Sequence, residues 1–82
     1  MSYYVYILKC SDATLYTGIT TDLSRRVCEH NSSKKGAKYT MLRRPVELIY
    51  SEEHKDRSSA SKREYAIKKL KREKKLELIK EL

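Results

Sequence analysis

Two short runs near the start of the chain combine aromatic and β-branched residues in the pattern of β-strands. Residues 3–9 read Tyr-Tyr-Val-Tyr-Ile-Leu-Lys, and residues 15–19 read Leu-Tyr-Thr-Gly-Ile. The segment between them, residues 10–14, contains Ser, Asp and Thr, which favour turns. This arrangement predicts a β-hairpin.

Helical signals follow the hairpin. The polar residues 20–22 can cap a helix that runs from about residue 23 to residue 31. Leu23 and Val27 are four residues apart and would share its buried face. Ser, Lys and a Gly in residues 32–44 predict a loop.

The second half of the chain predicts one more strand and further helix. Pro45 is followed by the apolar residues 46–50, which predict a third strand. Residues 56–58 can cap a long helix, and apolar residues recur at helical spacing from there to the C-terminus. These are Ala60, Ile67, Leu70, Leu76, Ile79 and Leu82. The pattern leaves open whether one helix covers this region or a break near Arg72 divides it.

The predicted element order is therefore β-β-α-β-α-α. It indicates an α+β domain with helices over a small antiparallel sheet. The 82 residues fit a single domain, residues 1–82. A chain of this size buries only about 60% of its unfolded surface, so we expect a modest core and no deep small-molecule pocket.

The charge of the chain indicates what kind of partner it could bind. Lys and Arg outnumber Asp and Glu by 19 to 11, and the net charge is +8. Such a field attracts polyanions, although a basic surface also keeps a small domain soluble. Residues 32–46 contain no acid, which favours a nucleic-acid-binding track over a merely solvated loop. Its basic residues are Lys34, Lys35, Lys38, Arg43 and Arg44.

The two cysteines indicate a reducing compartment. Cys10 and Cys28 show neither Cys-x-x-Cys nor zinc-ligand spacing, so we expect reduced thiols. The apolar run at residues 3–8 is too short for a signal peptide and lacks a basic leader. No segment approaches the length of a membrane span. We therefore expect a cytoplasmic protein without membrane association.

The hairpin brings together two tyrosines that are candidates for chemistry. With a loop at residues 11–13, Tyr6 lies opposite Gly18 and Tyr16 lies opposite Leu8, which makes the two phenols diagonal neighbours. We expect Gly18 to leave the Tyr6 ring uncrowded and to admit a substrate backbone. The alternative is that both tyrosines simply pack in the sheet, as most strand tyrosines do.

The predicted helices supply three more candidates. Arg26 shares a helix stripe with Asp22 and His30, and it could clamp a phosphate bidentately or form a surface pair with Asp22. His30 is the weakest candidate, since a lone His is more often a polar surface residue. Glu64 falls on the apolar stripe of its helix, where a carboxylate needs a cation, a cleft or a metal. An internal salt bridge, for example with Arg26, is the alternative.

Together these residues resemble the GIY-YIG nuclease superfamily over essentially the full chain, and most closely its small stand-alone bacterial members (YhbQ-like proteins). Tyr-Val-Tyr at residues 4–6 stands where Gly-Ile-Tyr belongs, and Tyr-Thr-Gly at residues 16–18 stands for Tyr-Ile-Gly. Residues 18–26, followed by His30, resemble the helix that carries the family's catalytic Arg. Residues 62–64 resemble the segment that carries its metal-binding Glu.

The resemblance implies a three-stranded antiparallel sheet flanked by helices and metal-dependent hydrolysis of phosphodiester bonds. It favours DNA over RNA as the substrate without deciding between them, and it implies a role in DNA repair or recombination. The chain departs from the pattern at Tyr4 and Thr17, and no Asn follows Glu64. Members of this size lack the extra domain with which larger relatives select DNA, so a protein partner that supplies specificity is a further expectation.

A mechanism follows as a hypothesis. Glu64 would bind one Mg²⁺ or Mn²⁺ ion, which polarises the scissile phosphate. Tyr16 would act as general base toward an in-line water and Tyr6 would position that water, or the two would exchange these roles. Arg26 would stabilise charge on the phosphate, with His30 as a helper.

Two other functions compete with this hypothesis. A non-catalytic or partner-dependent nucleic-acid-binding module would need the basic residues but not Tyr6, Tyr16, Arg26 and Glu64, so the presence of all four favours an enzyme. A coiled-coil interaction protein is disfavoured because the C-terminal helix is too short for sustained heptads.

Overall fold

The computed structural model describes residues 2–32 and 35–80 and contains a three-stranded antiparallel sheet with strand order β2-β1-β3. The strands are β1 (Tyr3–Lys9), β2 (Leu15–Thr20) and β3 (Glu47–His54). The helices are α1 (Leu23–Ser32), α2 (Lys38–Met41), α3 (Arg57–Lys68) and α4 (Arg72–Lys80). The α+β class and the predicted element order are confirmed, with the four-residue α2 as an addition.

The hairpin has the predicted register, with Tyr6 opposite Gly18 and Leu8 opposite Tyr16. Its turn is closed by a hydrogen bond from the backbone N–H of Cys10 to the carbonyl of Thr14, at 2.9 Å. The Asp12 carboxylate accepts bonds from the Thr14 N–H at 3.1 Å and the Thr14 hydroxyl at 2.6 Å. These side-chain bonds are typical of an Asx-type turn and fix the register of the two strands.

The central strand β1 divides the core into two clusters because its side chains alternate between the faces of the sheet. Val5 and Ile7 belong to a buried cluster with Ala60 and Ile67 of α3. On the other face, Tyr6 and Leu8 are buried with Cys10 and Val46, and Leu23 and Val27 of α1 pack against them. Tyr6 therefore faces the α1 side of the sheet. Cys10 is buried, Cys28 is exposed, and both are free thiols.

The prediction of a plain loop over residues 32–44 was wrong, because the segment contains α2 and is tied to the end of α1. The Asn31 side chain makes two bonds to the backbone of Val46: its amide nitrogen donates to the carbonyl at 3.1 Å and its carbonyl oxygen accepts from the N–H at 2.7 Å. These bonds hold the start of the third strand against the end of α1. Within the segment, α2 lies over the tyrosine-bearing face of the sheet, where its Tyr39 stacks on Tyr16.

The structure also defines the bounds of β3, α3 and α4, which the sequence predicted only in part. The third strand was predicted to end at residue 50 but continues to His54, because its polar residues keep pairing with β1. Asp56 caps α3 as predicted, since its carboxylate accepts the N–H of Ser59 at 2.7 Å. The chain then breaks at residues 69–71 before α4, which settles the alternative left open near Arg72. Leu82 lies outside the described residues.

None of the helices in residues 2–32 and 35–80 has the length and apolar character needed to cross a membrane.

Candidate active site

The two tyrosines lie together on the α1 side of the sheet. Their ring centroids are 6.5 Å apart, as the hairpin register requires. Tyr6 is 1% exposed, whereas Tyr16 is only partly buried. Gly18 leaves room for the Tyr6 ring as expected, but because Tyr6 is buried this space does not admit a substrate backbone. A Cβ on Gly18 would lie 2.5 Å from Tyr6 Oη, so the glycine makes room for the tyrosine ring itself.

His30 is fully buried rather than a surface residue, and both ring nitrogens have partners. Nε2 lies 2.8 Å from Tyr6 Oη, and Nδ1 lies 2.8 Å from Thr40 Oγ1. The single hydroxyl proton of Thr40 is donated to the carbonyl of Ala37 at 2.9 Å. Thr40 can therefore only accept from Nδ1–H, so we assign the proton to Nδ1. Nε2 then accepts the hydroxyl proton of Tyr6.

The electrostatic environment agrees with this assignment. Burial is the main cause that lowers the pKa of His30 to about 4; the neighbouring Arg26 and Arg44 act in the same direction and Glu29 opposes them. The imidazole is therefore neutral at pH 7 and can accept a hydrogen bond. Burial raises the pKa of Tyr6 to about 12, against the opposing effect of Arg26. Tyr6 is therefore a neutral phenol that donates to His30.

Tyr16 is held by aromatic neighbours from three elements. The Tyr39 ring, on α2, stacks on it with centroids 5.9 Å apart and an interplanar angle of 29°. The His30 ring meets it edge-on at 5.2 Å, and Tyr6 packs beside it. The guanidinium of Arg43 lies 4.0 Å from the Tyr39 ring centroid. These contacts fix the orientation of Tyr16 while leaving it partly exposed.

The Arg26 side chain is half-buried, and it donates two hydrogen bonds from the same guanidinium nitrogen, Nη1. Nη1 donates to Glu29 Oε1 at 3.0 Å and to the carbonyl of Lys35 at 2.8 Å. The alternative pairing with Asp22 was wrong, since the Asp22 carboxylate instead accepts the backbone N–H of Arg25 at the start of α1. Because the guanidinium is immobilised before any ligand arrives, it is suited to hold an anion at a fixed place.

Glu64 extends from α3 and is 23% exposed. Its Oε2 lies 3.4 Å from Lys68 Nζ, one turn along the same helix, so the salt-bridge alternative is met by Lys68 rather than by Arg26. Glu64 is nevertheless among the groups that raise the pKa of Tyr6, after burial and Tyr16. Its charge therefore acts on Tyr6.

Glu64 could bind a divalent ion only if enough oxygen ligands are available around it. In the described part of the chain, no group of three or more His, Cys, Asp and Glu side chains is placed to hold a metal. A protein-only cage is thus missing there. Mg²⁺, however, commonly keeps several waters and binds one or two carboxylates together with substrate phosphates. One accessible carboxylate fits a site of that kind, which the substrate completes.

The basic loop residues have more than one role. Arg43 was assigned to nucleic-acid binding because its segment contains no acid, but its Nε bonds Asp12 Oδ2 at 3.1 Å, across the hairpin turn. Its Nη1 also donates to the carbonyl of Tyr39 at 2.9 Å. Arg43 therefore supports the ring that stacks on Tyr16. Although residues 32–46 contain no acid, the fold brings the Asp12 carboxylate into contact with this segment.

Arg44 binds the C-terminal end of α1. Its Nε donates to the carbonyl of His30 at 2.6 Å and its Nη2 to that of Glu29 at 3.4 Å. A guanidinium on these carbonyls stabilises a helix C-terminus, so Arg44 has a structural contact that its sequence did not indicate. Lys35 and Lys38 are exposed, whereas Lys34 lies outside the described residues.

Thr40 and Tyr39 are the site residues that sequence reasoning missed. Both belong to a four-residue helix, which is too short to show a period. A tyrosine followed by a threonine inside a basic segment was the only signal, and it does not reveal a contact with His30 or Tyr16.

Comparisons with known proteins agree with this fold. A family model described as the GIY-YIG catalytic domain matches residues 2–77. The UPF0213 protein DP2720 of Desulfotalea psychrophila is 61% identical over 79 residues, which are 96% of this chain and 72% of that protein. A UPF0213 protein of Staphylococcus aureus is 56% identical over 80 residues, which are 98% of this chain and 96% of that protein.

Two solution NMR structures are similar to the whole fold. The UPF0213 protein BH0048 from Bacillus halodurans is 45% identical and has a TM-score of 0.63. The protein EF2693 from E. faecalis is 49% identical and has a TM-score of 0.67. Each comparison covers 98% of this chain and 84% of the other chain.

The fold, the site and these matches define the class of protein: the chain belongs to the GIY-YIG nuclease family. Among its relatives, the proteins from D. psychrophila, S. aureus and B. halodurans all carry the name UPF0213. The family resemblance predicted from the sequence is confirmed. Membership of this family implies a nucleic-acid substrate.

Proposed function

We propose that this chain is a metal-dependent endonuclease that hydrolyses phosphodiester bonds in DNA. One observation carries the proposal. The rings of Tyr6 and Tyr16 lie 6.5 Å apart, and the pKa of Tyr6, which is raised mainly by burial, also responds to Arg26, Tyr16 and Glu64. Two phenols, a guanidinium and a carboxylate from four different elements thus lie within electrostatic reach of one another. A simple binding surface does not need this combination.

The different surroundings of the two tyrosines favour different roles. Tyr6 is buried, donates to His30 and has a pKa of about 12, which makes it a poor proton acceptor near neutral pH. Tyr16 is partly exposed and its ring is fixed by Tyr39 and His30. Tyr16 is therefore the general base toward the attacking water. Tyr6 and His30 form the buried support that holds Tyr16 in place.

Arg26 and Glu64 complete the proposed site. Arg26, held through Nη1, binds the scissile phosphate and stabilises the negative charge that grows on its oxygens. Glu64 would hold the divalent ion, Mg²⁺ or Mn²⁺. When bound, such an ion supplies Lewis-acid polarisation of the phosphate and steadies the leaving oxygen. Lys68 must release Glu64 for that purpose, which an exposed i,i+4 pair allows at small cost.

The proposal is tested by replacing Glu64, with Glu77 as the matched control because it also pairs with a lysine of its own helix. Wild type, Glu64→Gln and Glu77→Gln are compared on single-stranded, duplex, flap and branched DNA, with Mg²⁺ or Mn²⁺. Glu77 forms a similar surface pair, with Lys74, at 3.6 Å. Loss of cleavage in Glu64→Gln alone, with DNA binding retained, supports the proposal. Equal cleavage by all three proteins contradicts it.

The same experiment separates the nuclease from its rival. Binding without cleavage on every substrate, by wild type as well as variants, favours the non-catalytic or partner-dependent binding module. A parallel set of RNA substrates decides between DNA and RNA. Preference for flap or branched DNA supports a role in DNA repair or recombination.

A further inference from the structure

A cleft lies beside the proposed site, where the end of β2 meets the start of α1 and the start of α3. Its volume is about 310 Å³. Three guanidinium side chains line it, those of Arg25, Arg26 and Arg57, together with Thr21 and Glu29. Arg26 is thus shared between the cleft and the proposed catalytic site, whereas Arg25 and Arg57 belong to the cleft alone.

Among residues 2–32 and 35–80, the basic side chains that line this cleft outnumber the acidic ones. In the part of the chain that the structure describes, Glu29 is the one acidic residue in its lining. Glu29 Oε1 is engaged by Arg26 at 3.0 Å, while its Oε2 lies 4.0 Å from Arg25 Nε, at the limit of an ion pair. Arg25 is 59% exposed, so this long contact holds it only weakly. Arg25 and Arg26 therefore share this carboxylate, and neither contact involves Arg57.

Arg57 has a position that folding alone does not favour. It is the first residue of α3, where the helix dipole is positive and a cation is unfavourable. Arg57 is exposed, and in the described part of the chain no hydrogen bond or ion pair of its side chain is found. The helix start is already capped by Asp56. Stability therefore gives no reason for an arginine here, whereas an anion in the cleft does.

From these observations we infer that Arg25 and Arg57 bind a second phosphate of the nucleic-acid strand, adjacent to the phosphate held by Arg26. The inference rests on the proposed function, and it assigns Arg25 and Arg57 to the surface that binds the backbone of the substrate. Guanidinium groups match phosphate oxygens bidentately, and a phosphate is the anion that recurs at fixed spacing along a strand. The cleft fixes the register of the strand, so that one particular bond reaches Tyr16 and Glu64.

The test measures binding of a short fluorescein-labelled single-stranded DNA by fluorescence anisotropy, in EDTA so that no cleavage occurs. Wild type, Arg25→Gln and Arg57→Gln are titrated at several salt concentrations. Arg72→Gln is the matched control, because Arg72 is also exposed and also the first residue of its helix, but it does not line the cleft.

Loss of one phosphate contact lowers the slope of log K against log salt by about 0.7 on single-stranded DNA. We expect this change, with several-fold weaker binding, in Arg25→Gln and Arg57→Gln but not in Arg72→Gln. Thermal unfolding of all three variants should match wild type, which excludes misfolding. Equal losses in Arg57→Gln and Arg72→Gln would overturn the inference, because they would reflect only the diffuse positive field.

A second readout locates the contact directly. The side-chain Nε–H resonances of Arg25 and Arg57 should shift when the same oligonucleotide is added, while that of Arg72 stays in place. If wild type cleaves DNA but these resonances do not move, the second phosphate site is refuted and the nuclease stands. If wild type neither binds nor cleaves, both proposals fail.

Discussion

Thr40 Oγ1 lies 2.8 Å from His30 Nδ1, and this contact determines which ring nitrogen of the buried histidine carries its proton. Because Thr40 donates to Ala37, it must accept from His30, and His30 must in turn accept from Tyr6. A residue of the short helix α2 thereby fixes the direction of a hydrogen-bond chain that ends at a family tyrosine.

Thr40→Val should break this chain. The valine has nearly the same shape but no acceptor, so the Nδ1–H of His30 loses its partner inside the protein. We expect the free energy of unfolding to fall by about 1–3 kcal/mol, the cost of an unsatisfied buried donor. The ¹⁵N shifts of the His30 ring should show loss of the pure Nδ1–H tautomer. Thr40→Ser is the control and should retain both properties; an unchanged tautomer in Thr40→Val would refute the assignment.

The two tyrosines should respond differently to loss of their hydroxyl groups. Tyr16→Phe keeps the ring contacts and should leave stability near wild type, but it should reduce cleavage by about 100-fold or more, the usual scale of a lost general base. Tyr6→Phe strands the Nε2 lone pair of His30 and should cost about 1–3 kcal/mol of stability. Its loss of cleavage should be the smaller of the two. Chemical denaturation and single-turnover cleavage measure both effects, and the reverse order would assign the general base to Tyr6.

His30 should make folding stability depend on pH. Its pKa is about 4 in the folded chain and about 6.5 when unfolded, so between these values the unfolded state binds more protons. Stability is therefore fully present above pH 6.5 and should fall as the pH drops toward 4, by about 3 kcal/mol in total. His30→Gln removes this titration. Urea unfolding at a series of pH values should give a shallower dependence for the variant, and parallel curves would contradict the burial of a neutral histidine.

Gly18→Ala should disturb Tyr6 rather than substrate binding. The new Cβ would lie 2.5 Å from Tyr6 Oη and 2.7 Å from its Cζ, so the ring must move and its bond to His30 is lost. We expect about 1–3 kcal/mol of destabilisation from strain. In a Tyr6→Ala background the same substitution should cost much less, because the clashing atoms are gone. Additive losses in the double variant would show that another contact requires the glycine.

Much of the fold and part of the site could be predicted from local pattern. Strand alternation and a short turn determine that Tyr6 meets Gly18, and helix spacing places Arg26 and Glu64 on faces that can serve one site. These relationships depend on neighbours in sequence, so a single chain reveals them.

The remaining features depend on contacts between distant segments. Arg43 finds Asp12 from 31 residues away, which no local charge count detects. His30 is buried against Tyr6, Tyr16 and Thr40, and Thr40 belongs to α2, which is too short to be predicted from a period. Whether Glu64 pairs with Lys68 or with Arg26 depends on the path of α3 over the sheet. Each of these is a property of the assembled core.

The most direct test of the nuclease proposal is Mg²⁺- and Mn²⁺-dependent cleavage of branched and linear DNA by wild type, Glu64→Gln and Glu77→Gln. The proposal predicts metal-dependent cleavage by wild type and by Glu77→Gln, and none by Glu64→Gln, which should still bind the DNA. Cleavage by Glu64→Gln at the wild-type rate, or binding by wild type without cleavage of any substrate, would contradict it.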